Sequence, residues 1–267
     1  MSQTGIEWTD STWNPTTGCR KVSPGCDHCY AATLAKRLKA MGSTRYQTDG
    51  PDGEGFGLAL HPDKIEEPLK WKRPRRVFVN SMSDLFHPGI PSSFLDRVFE
   101  VMAACPQHQF QILTKRPTRM AREVSRLEDK FGGVLKNVWL GTSVEDQEWA
   151  GKRVPHLLNT PAAVRFLSCE PLLGEVDLSP WLDPDSLHWV IVGGESGPQH
   201  RPVAIEWIRA IRDQCLDAGI PFFFKQWGGR TPKANGRELD SQLWDEMPIP
   251  LDPDPSQRRL GERAWGA

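Results

Sequence analysis

Residues 110–128 read FQILTKRPTRMAREVSRLE, and two periodicities meet within them. Phe110-Gln111-Ile112-Leu113 is a short β-rich apolar run, the signature of a buried strand. From 116 to 128 the apolar positions Met120, Val124 and Leu127 recur at helical spacing. Polar Thr114-Lys115-Arg116 joins the two, so the stretch is one strand-loop-helix unit. The unit repeats along the chain. Val77-Phe78-Val79, Val138-Trp139-Leu140, Val164-Arg165-Phe166-Leu167, Trp189-Val190-Ile191-Val192 and Phe222-Phe223-Phe224 read as strands, with helical patterns over 94–104, 145–158 and 205–218. With a further strand within 6–13 the tally is six or seven βα units. Alternation of this kind predicts an α/β fold with a parallel sheet wrapped by helices. The number of units favours a partial (β/α)6-7 TIM-like barrel over a doubly wound sheet.

In such folds functional groups gather where the loops after the strands converge. Here those positions hold Asn80-Ser81-Met82-Ser83-Asp84, Thr114-Lys115-Arg116, Thr142-Ser143-Val144-Glu145, Ser168-Cys169-Glu170, Gly193-Gly194-Glu195-Ser196 and Lys225-Gln226-Trp227. A helix N-cap explains any one Ser, Thr or Asp among them. It does not explain carboxylates, hydroxyls and a lysine at nearly every strand end, so this rim is the expected site. Two stretches interrupt the pattern: a Gly- and Asp-rich loop over 42–57, and a polar, proline-containing tail. The expected division is a barrel with its N-terminal loop over 1–229 and a C-terminal extension over 230–267 that packs on or near it.

The first βα loop carries the metal chemistry. Gly18-Cys19-Arg20-Lys21-Val22-Ser23-Pro24-Gly25-Cys26-Asp27-His28-Cys29-Tyr30 has the spacing C-x6-C-x2-C and runs straight into a helical segment, 31–41. Three of the six cysteines fall within this loop, which points to metal ligation and not to a disulfide framework. Thiolates suit iron-sulfur clusters and zinc. Three local ligands leave one iron of a cubane open to a cofactor, which favours catalysis. The alternative is a structural zinc completed by a histidine, the staple of a nucleic-acid-binding module without catalysis.

A cysteine triad in the loop after the first strand of a partial barrel resembles the radical S-adenosylmethionine superfamily, whose usual spacing is C-x3-C-x2-C; here the first gap is six. The whole chain resembles a phage-associated family of uncharacterised bacterial proteins bearing a three-cysteine motif. Thr12-Trp13-Asn14-Pro15, Gly18-Cys19 and the strand-end segments carry that resemblance, and Cys29-Tyr30 is distantly similar to the loop of spore photoproduct lyases. The resemblance implies a 4Fe-4S cluster on Cys19, Cys26 and Cys29 that cleaves S-adenosylmethionine. It implies that Asn80, Ser81, Ser83 and Asp84 hold the methionine amino group, with Asp84 the foremost ligand, and that Ser143 and Glu145 hold the ribose. Gly193-Gly194-Glu195 looks like the superfamily's glycine-glycine-acid tripeptide but follows a late strand, so that role is not carried over. Glu170 and Glu195 are candidates for cofactor or substrate contact, Lys225 for holding the substrate. Cys169 is a candidate hydrogen-atom donor, as a separate cysteine is in photoproduct lyases.

Basic residues cluster over 70–76 and 115–119, the first around Trp71, and such patches bind phosphates and exposed bases. A nucleic-acid base or nucleoside is therefore the expected substrate, with repair or modification of DNA as the implied activity and a reductant as the implied partner. The net charge of -1 adds no global attraction. No apolar run of membrane-spanning length and no signal peptide is visible, so the expected location is the cytoplasm.

Overall fold

In a computed structural model the structure describes residues 4–249; the end of the expected C-terminal extension, 250–267, lies outside the described residues. Seven strands form one parallel sheet: β1 (Ser11–Trp13), β2 (Arg76–Val79), β3 (Gln109–Thr114), β4 (Val138–Ser143), β5 (Val164–Cys169), β6 (Trp189–Gly193) and β7 (Phe222–Gln226). They pair in chain order, and the sheet curls into a half-barrel that stays open between β1 and β7. Five helices follow strands on the outside: α1 (Tyr30–Ala40), α2 (Ser92–Ala104), α3 (Pro117–Phe131), α4 (Gln147–Leu158) and α5 (Ile205–Asp217). The β5–β6 connection carries only a single 3-10 turn, Ser179–Trp181. The partial barrel read from the sequence is the fold.

Most strands run further at their carboxyl ends than their apolar cores suggest. Thr114 pairs with Thr142, Ser143 with Ser168, and Cys169 with Val192. Backbone ladder bonds do not depend on apolar side chains, so polar residues continue the strand into the rim. Alternation then sorts the side chains. Val77, Val79, Val138, Leu140, Leu167, Cys169, Val190 and Val192 face the helices in the larger core. Phe78, Trp139, Phe166, Trp189, Ile191 and Phe223 fill the barrel interior, joined there by Trp8 from the segment before β1.

That interior is close to full. A Cβ on Gly141 would lie 2.5 Å from the Phe166 ring, so glycine in β4 is what admits the aromatic side chain. Gly141→Ala is expected to lower unfolding free energy by about 1–3 kcal/mol through overpacking, read as a shifted denaturation midpoint at constant m.

The 42–57 loop is packed against the chain. Tyr46 and Phe56 are buried with Ala31, Ala35 and Met82, and partly buried Cys19 and Cys29 pack on that cluster. At the far end of the sheet, residues 238–243 form a small hairpin, and Trp244 stacks edge-on against Phe222 at a centroid distance of 5.8 Å. The Trp189 indole N–H donates to the Glu246 carbonyl at 2.8 Å. Among the described residues no helix is long and apolar enough to cross a membrane.

Candidate functional site

A cavity of about 660 Å³ opens at the carboxyl ends of the strands. Cys19, Cys26 and Cys29 line it from one side; all three are free thiols of intermediate exposure. Pro24 starts a 3-10 turn, Pro24–Cys26, in which the Cys26 N–H donates to the Ser23 carbonyl at 2.9 Å. Helix α1 begins directly after Cys29. Burial, reinforced by the Asp84 charge and opposed by Arg116, pushes the Cys19 thiol up to about 11, and burial also raises Cys29. Both bind protons at neutral pH, so a metal must displace them to bind.

Beside the thiols, Asn80, Ser81, Ser83 and Asp84 follow β2 into the cavity, with Gly18 bridged to Ser83. Asn80 holds a left-handed backbone at φ 61°, a conformation asparagine tolerates better than most residues. Its amide nitrogen donates to the Thr16 hydroxyl at 2.9 Å, while its Oδ1 is buried without a partner. Ser143 and Ser168 line the cavity from β4 and β5, the latter with its hydroxyl buried and unpartnered. Trp8, Phe78 and Leu113 supply apolar walls.

The carboxylates divide by how much of their acceptor capacity is already used; an ionised carboxylate offers about four lone-pair sites. Asp84 Oδ1 accepts from the Thr114 hydroxyl at 2.7 Å and the Phe86 N–H at 2.9 Å, and its Oδ2 accepts from the Lys115 N–H at 3.1 Å and Arg116 at 2.8 Å. It is full. Glu145, with its side chain entirely buried, accepts from Ser23 at 2.8 Å and Lys115 at 2.6 Å on Oε1 and from Arg153 at 2.9 Å on Oε2. It does not line the cavity, and the expected ribose contact falls to Ser143 alone. Glu195 lines the cavity but is clasped by Arg201, through Nε at 2.9 Å and Nη2 at 2.5 Å. Glu170 differs from the other three in keeping one oxygen without any partner: Lys225 donates to Oε2 at 2.8 Å and Oε1 accepts from nothing.

Cys169 is not brought to the cavity. It is fully buried among the residues that face the helices, with Cys215 of α5 near enough to help raise its thiol after burial does so. The reason is register: Ser168 and Glu170 point inward, so the residue between them points outward. Cys169→Ala is accordingly expected to change any turnover by less than about twofold while costing on the order of 1 kcal/mol of stability; a collapse of turnover with stability intact would reinstate the thiol as a donor.

The basic stretches also land differently from expectation. Residues 70–75 precede β2 and Arg76 opens it, at the end of the barrel away from the cavity, where Arg75 lies over the Trp71 ring at 5.2 Å and Arg76 pairs with Asp10 at 3.0 Å. In 115–119, Lys115 and Arg116 line the cavity but are committed to Glu145 and Asp84. Sequence reasoning missed Arg201, Ser23 and Tyr30, whose hydroxyl donates to the Ser81 carbonyl at 2.6 Å. It also missed Trp8, and Thr231, Pro232 and Lys233, which line the cavity from the C-terminal side.

The donor set bears on which metal group fits. A tetrahedral zinc at about 2.3 Å from each sulfur draws its thiolates to within roughly 3.8 Å of one another. Among the described residues no three Cys, His, Asp or Glu side chains close on one point in that way. Three thiols that line one cavity are soft donors of the kind that hold an iron-sulfur cluster or, with a fourth ligand, zinc.

A parallel half-barrel with three cysteines at the mouth of its cavity defines the class of architecture. The chain belongs to the family described as Protein of unknown function (DUF5131), whose profile matches residues 3–248. That match carries the family and not a phage association. No curated protein matches the sequence. Among solved structures the chain is similar to a spore photoproduct lyase complexed with dinucleoside spore photoproduct, at 13% identity and a TM-score of 0.42 over 74% of this chain and 58% of that one. It is also similar to a cysteine-to-serine mutant of spore photoproduct lyase, at 13% identity and a TM-score of 0.45 over 99% of this chain and 75% of that one. The chain thus spans less than two thirds of the first of these.

Proposed function

We propose that this protein is a radical S-adenosylmethionine enzyme, holding a 4Fe-4S cluster on Cys19, Cys26 and Cys29 and acting on a nucleic-acid base or nucleoside. The observation that carries the reading is the meeting of three free thiols with unpaired polar groups, Asn80 Oδ1, Ser168 Oγ and Glu170 Oε1, around one cavity at the strand ends. When bound and reduced, the cluster supplies the electron that breaks the S–C5′ bond of S-adenosylmethionine, giving methionine and a 5′-deoxyadenosyl radical.

The chain's own groups bind, orient and exclude water. Asn80 Oδ1 is placed to accept from the methionine ammonium, with Ser81 and Ser83 beside it and Asp84 behind, and Ser143 serves the ribose. Lys225 and Glu170 present a donor beside an acceptor, the pattern that reads an amide edge of a heterocycle, and Trp8 and Phe78 offer rings for it to stack on. Residues 1–229 act as the catalytic unit. Thr231, Pro232 and Lys233 line the cavity from the start of the extension, with Lys233 3.6 Å from Glu7.

The test is 5′-deoxyadenosine formation from S-adenosylmethionine by anaerobically reconstituted protein with dithionite, first alone and then with a dinucleoside photoproduct or single-stranded DNA. A brown protein that forms the nucleoside supports the reading. A colourless protein that binds zinc, takes up no iron and forms none would replace it with a metal-stapled binding module.

A further inference from the structure

The three-cysteine loop is three residues longer in the first gap than the usual form of the superfamily it resembles, and the second half of that gap, Ser23-Pro24-Gly25, is where the rim grips it most. From β4, Glu145 accepts the Ser23 hydroxyl at 2.8 Å, and it approaches Gly25 so closely that a Cβ there would lie 2.5 Å from the carboxylate. From beyond β6, Arg201, braced by Glu195, donates to the Pro24 carbonyl at 2.9 Å and lies 3.7 Å from Asp27. From β3, Arg116, braced by Asp84, donates to the Arg20 carbonyl at 2.7 Å and approaches Cys19 Sγ at 3.5 Å. Three carboxylates at the strand ends thus act on the loop, two of them through an arginine. Each strut carries a charge, which strengthens a hydrogen bond; the Ser23–Glu145 bond is part-buried, and the two exposed arginine bonds are braced from behind by buried carboxylates.

We infer that Glu195, Arg201 and Glu145 are positioning residues that hold the 20–27 arm, and with it Cys26, in place before any metal binds. A loop of this length joined only at its ends would have to be ordered by the incoming cluster, and metal affinity would fall by that ordering cost. Docking on the rim removes much of it. The inference deepens the proposed function but rests on the apoprotein, so it can fail separately.

The experiment is amide hydrogen exchange on the apoprotein, followed by iron content after anaerobic reconstitution. In Arg201→Ala, exchange in the peptide spanning 20–29 should rise about tenfold, with the strands unchanged, and iron per chain should fall at limiting iron. Arg201→Lys keeps the charge without the two-pronged reach and should fall between. Glu195→Gln, isosteric with the parent side chain, should loosen the same peptide without disturbing the fold, which guards against a misfolded arginine variant. Exchange in 20–29 that matches the parent in Arg201→Ala and Glu195→Gln would overturn the inference whatever the iron content. Loosened exchange with full iron uptake would overturn the claim that positioning aids metal binding. Loosened exchange with low iron would sustain it even if no 5′-deoxyadenosine ever forms.

Discussion

With Cys19, Cys26 and Cys29 all changed to alanine, 5′-deoxyadenosine formation should fall at least about a thousandfold, to the rate of the uncatalysed mixture. Each single alanine variant should lose nearly as much as the triple one, because groups that act as a unit are not additive. The reason is chemical: the S–C5′ bond of a sulfonium is broken by an electron, and no side chain at the rim can supply one. His28, which also lines the cavity, is the internal control. It is not required as a ligand by the proposed cluster, so His28→Ala should keep most of the activity, whereas a zinc site completed by that histidine would lose its metal. A triple variant that keeps a tenth of the parent's rate would sink the assignment.

Glu145→Ala should destabilise the protein by about 3–5 kcal/mol, the usual consequence of stripping one partner from a buried ion pair. Arg153 is left buried at 3% side-chain exposure and Lys115 at 18%, both facing the space where the carboxylate stood. Burial alone raises the Glu145 carboxyl, but Lys115, Arg153 and Ser23 outweigh it and hold the group below its ordinary 4.5. A depressed folded-state value contributes stability that is present above the unfolded value and disappears as pH falls through the folded one. The parent protein should therefore lose part of its margin below about pH 4.5, and Glu145→Ala should lose less of its own over the same interval. Chemical denaturation at pH 7 and pH 4 measures both; equal pH slopes would show that the pair contributes nothing to folding.

Much of the fold could be read from the chain because each strand core is a short apolar run followed by a helical period. The strand ends were harder, since Thr142, Ser143, Ser168 and Gln226 join the ladder through their backbone while their side chains read as loop. Cys169 shows the cost. A strand buried on both faces has a continuous apolar pattern, so the sequence does not tell which residues look into the barrel. The misplacement of the 70–76 stretch was avoidable, since residues before a strand lie at the end of the barrel opposite the rim. The roles of the carboxylates were not legible. Ser23 meets Glu145 across 122 residues of sequence and Pro24 meets Arg201 across 177, and no local pattern announces a partner so distant. Residue type placed acids at the rim; only the count of donors on each oxygen shows that Glu170 is available and the others are occupied.

The indoles packed inside the barrel have a consequence for how this protein can be watched. Trp8 borders the cavity, its ring 6.2 Å from Trp189, which lies 6.1 Å from Trp139. Ultraviolet excitation absorbed by any of the three is shared with one that borders the cavity. A chromophore seated there drains that emission, whereas a colourless ion leaves it bright. The barrel therefore carries its own lamp, and its dimming reports loading in real time without a label.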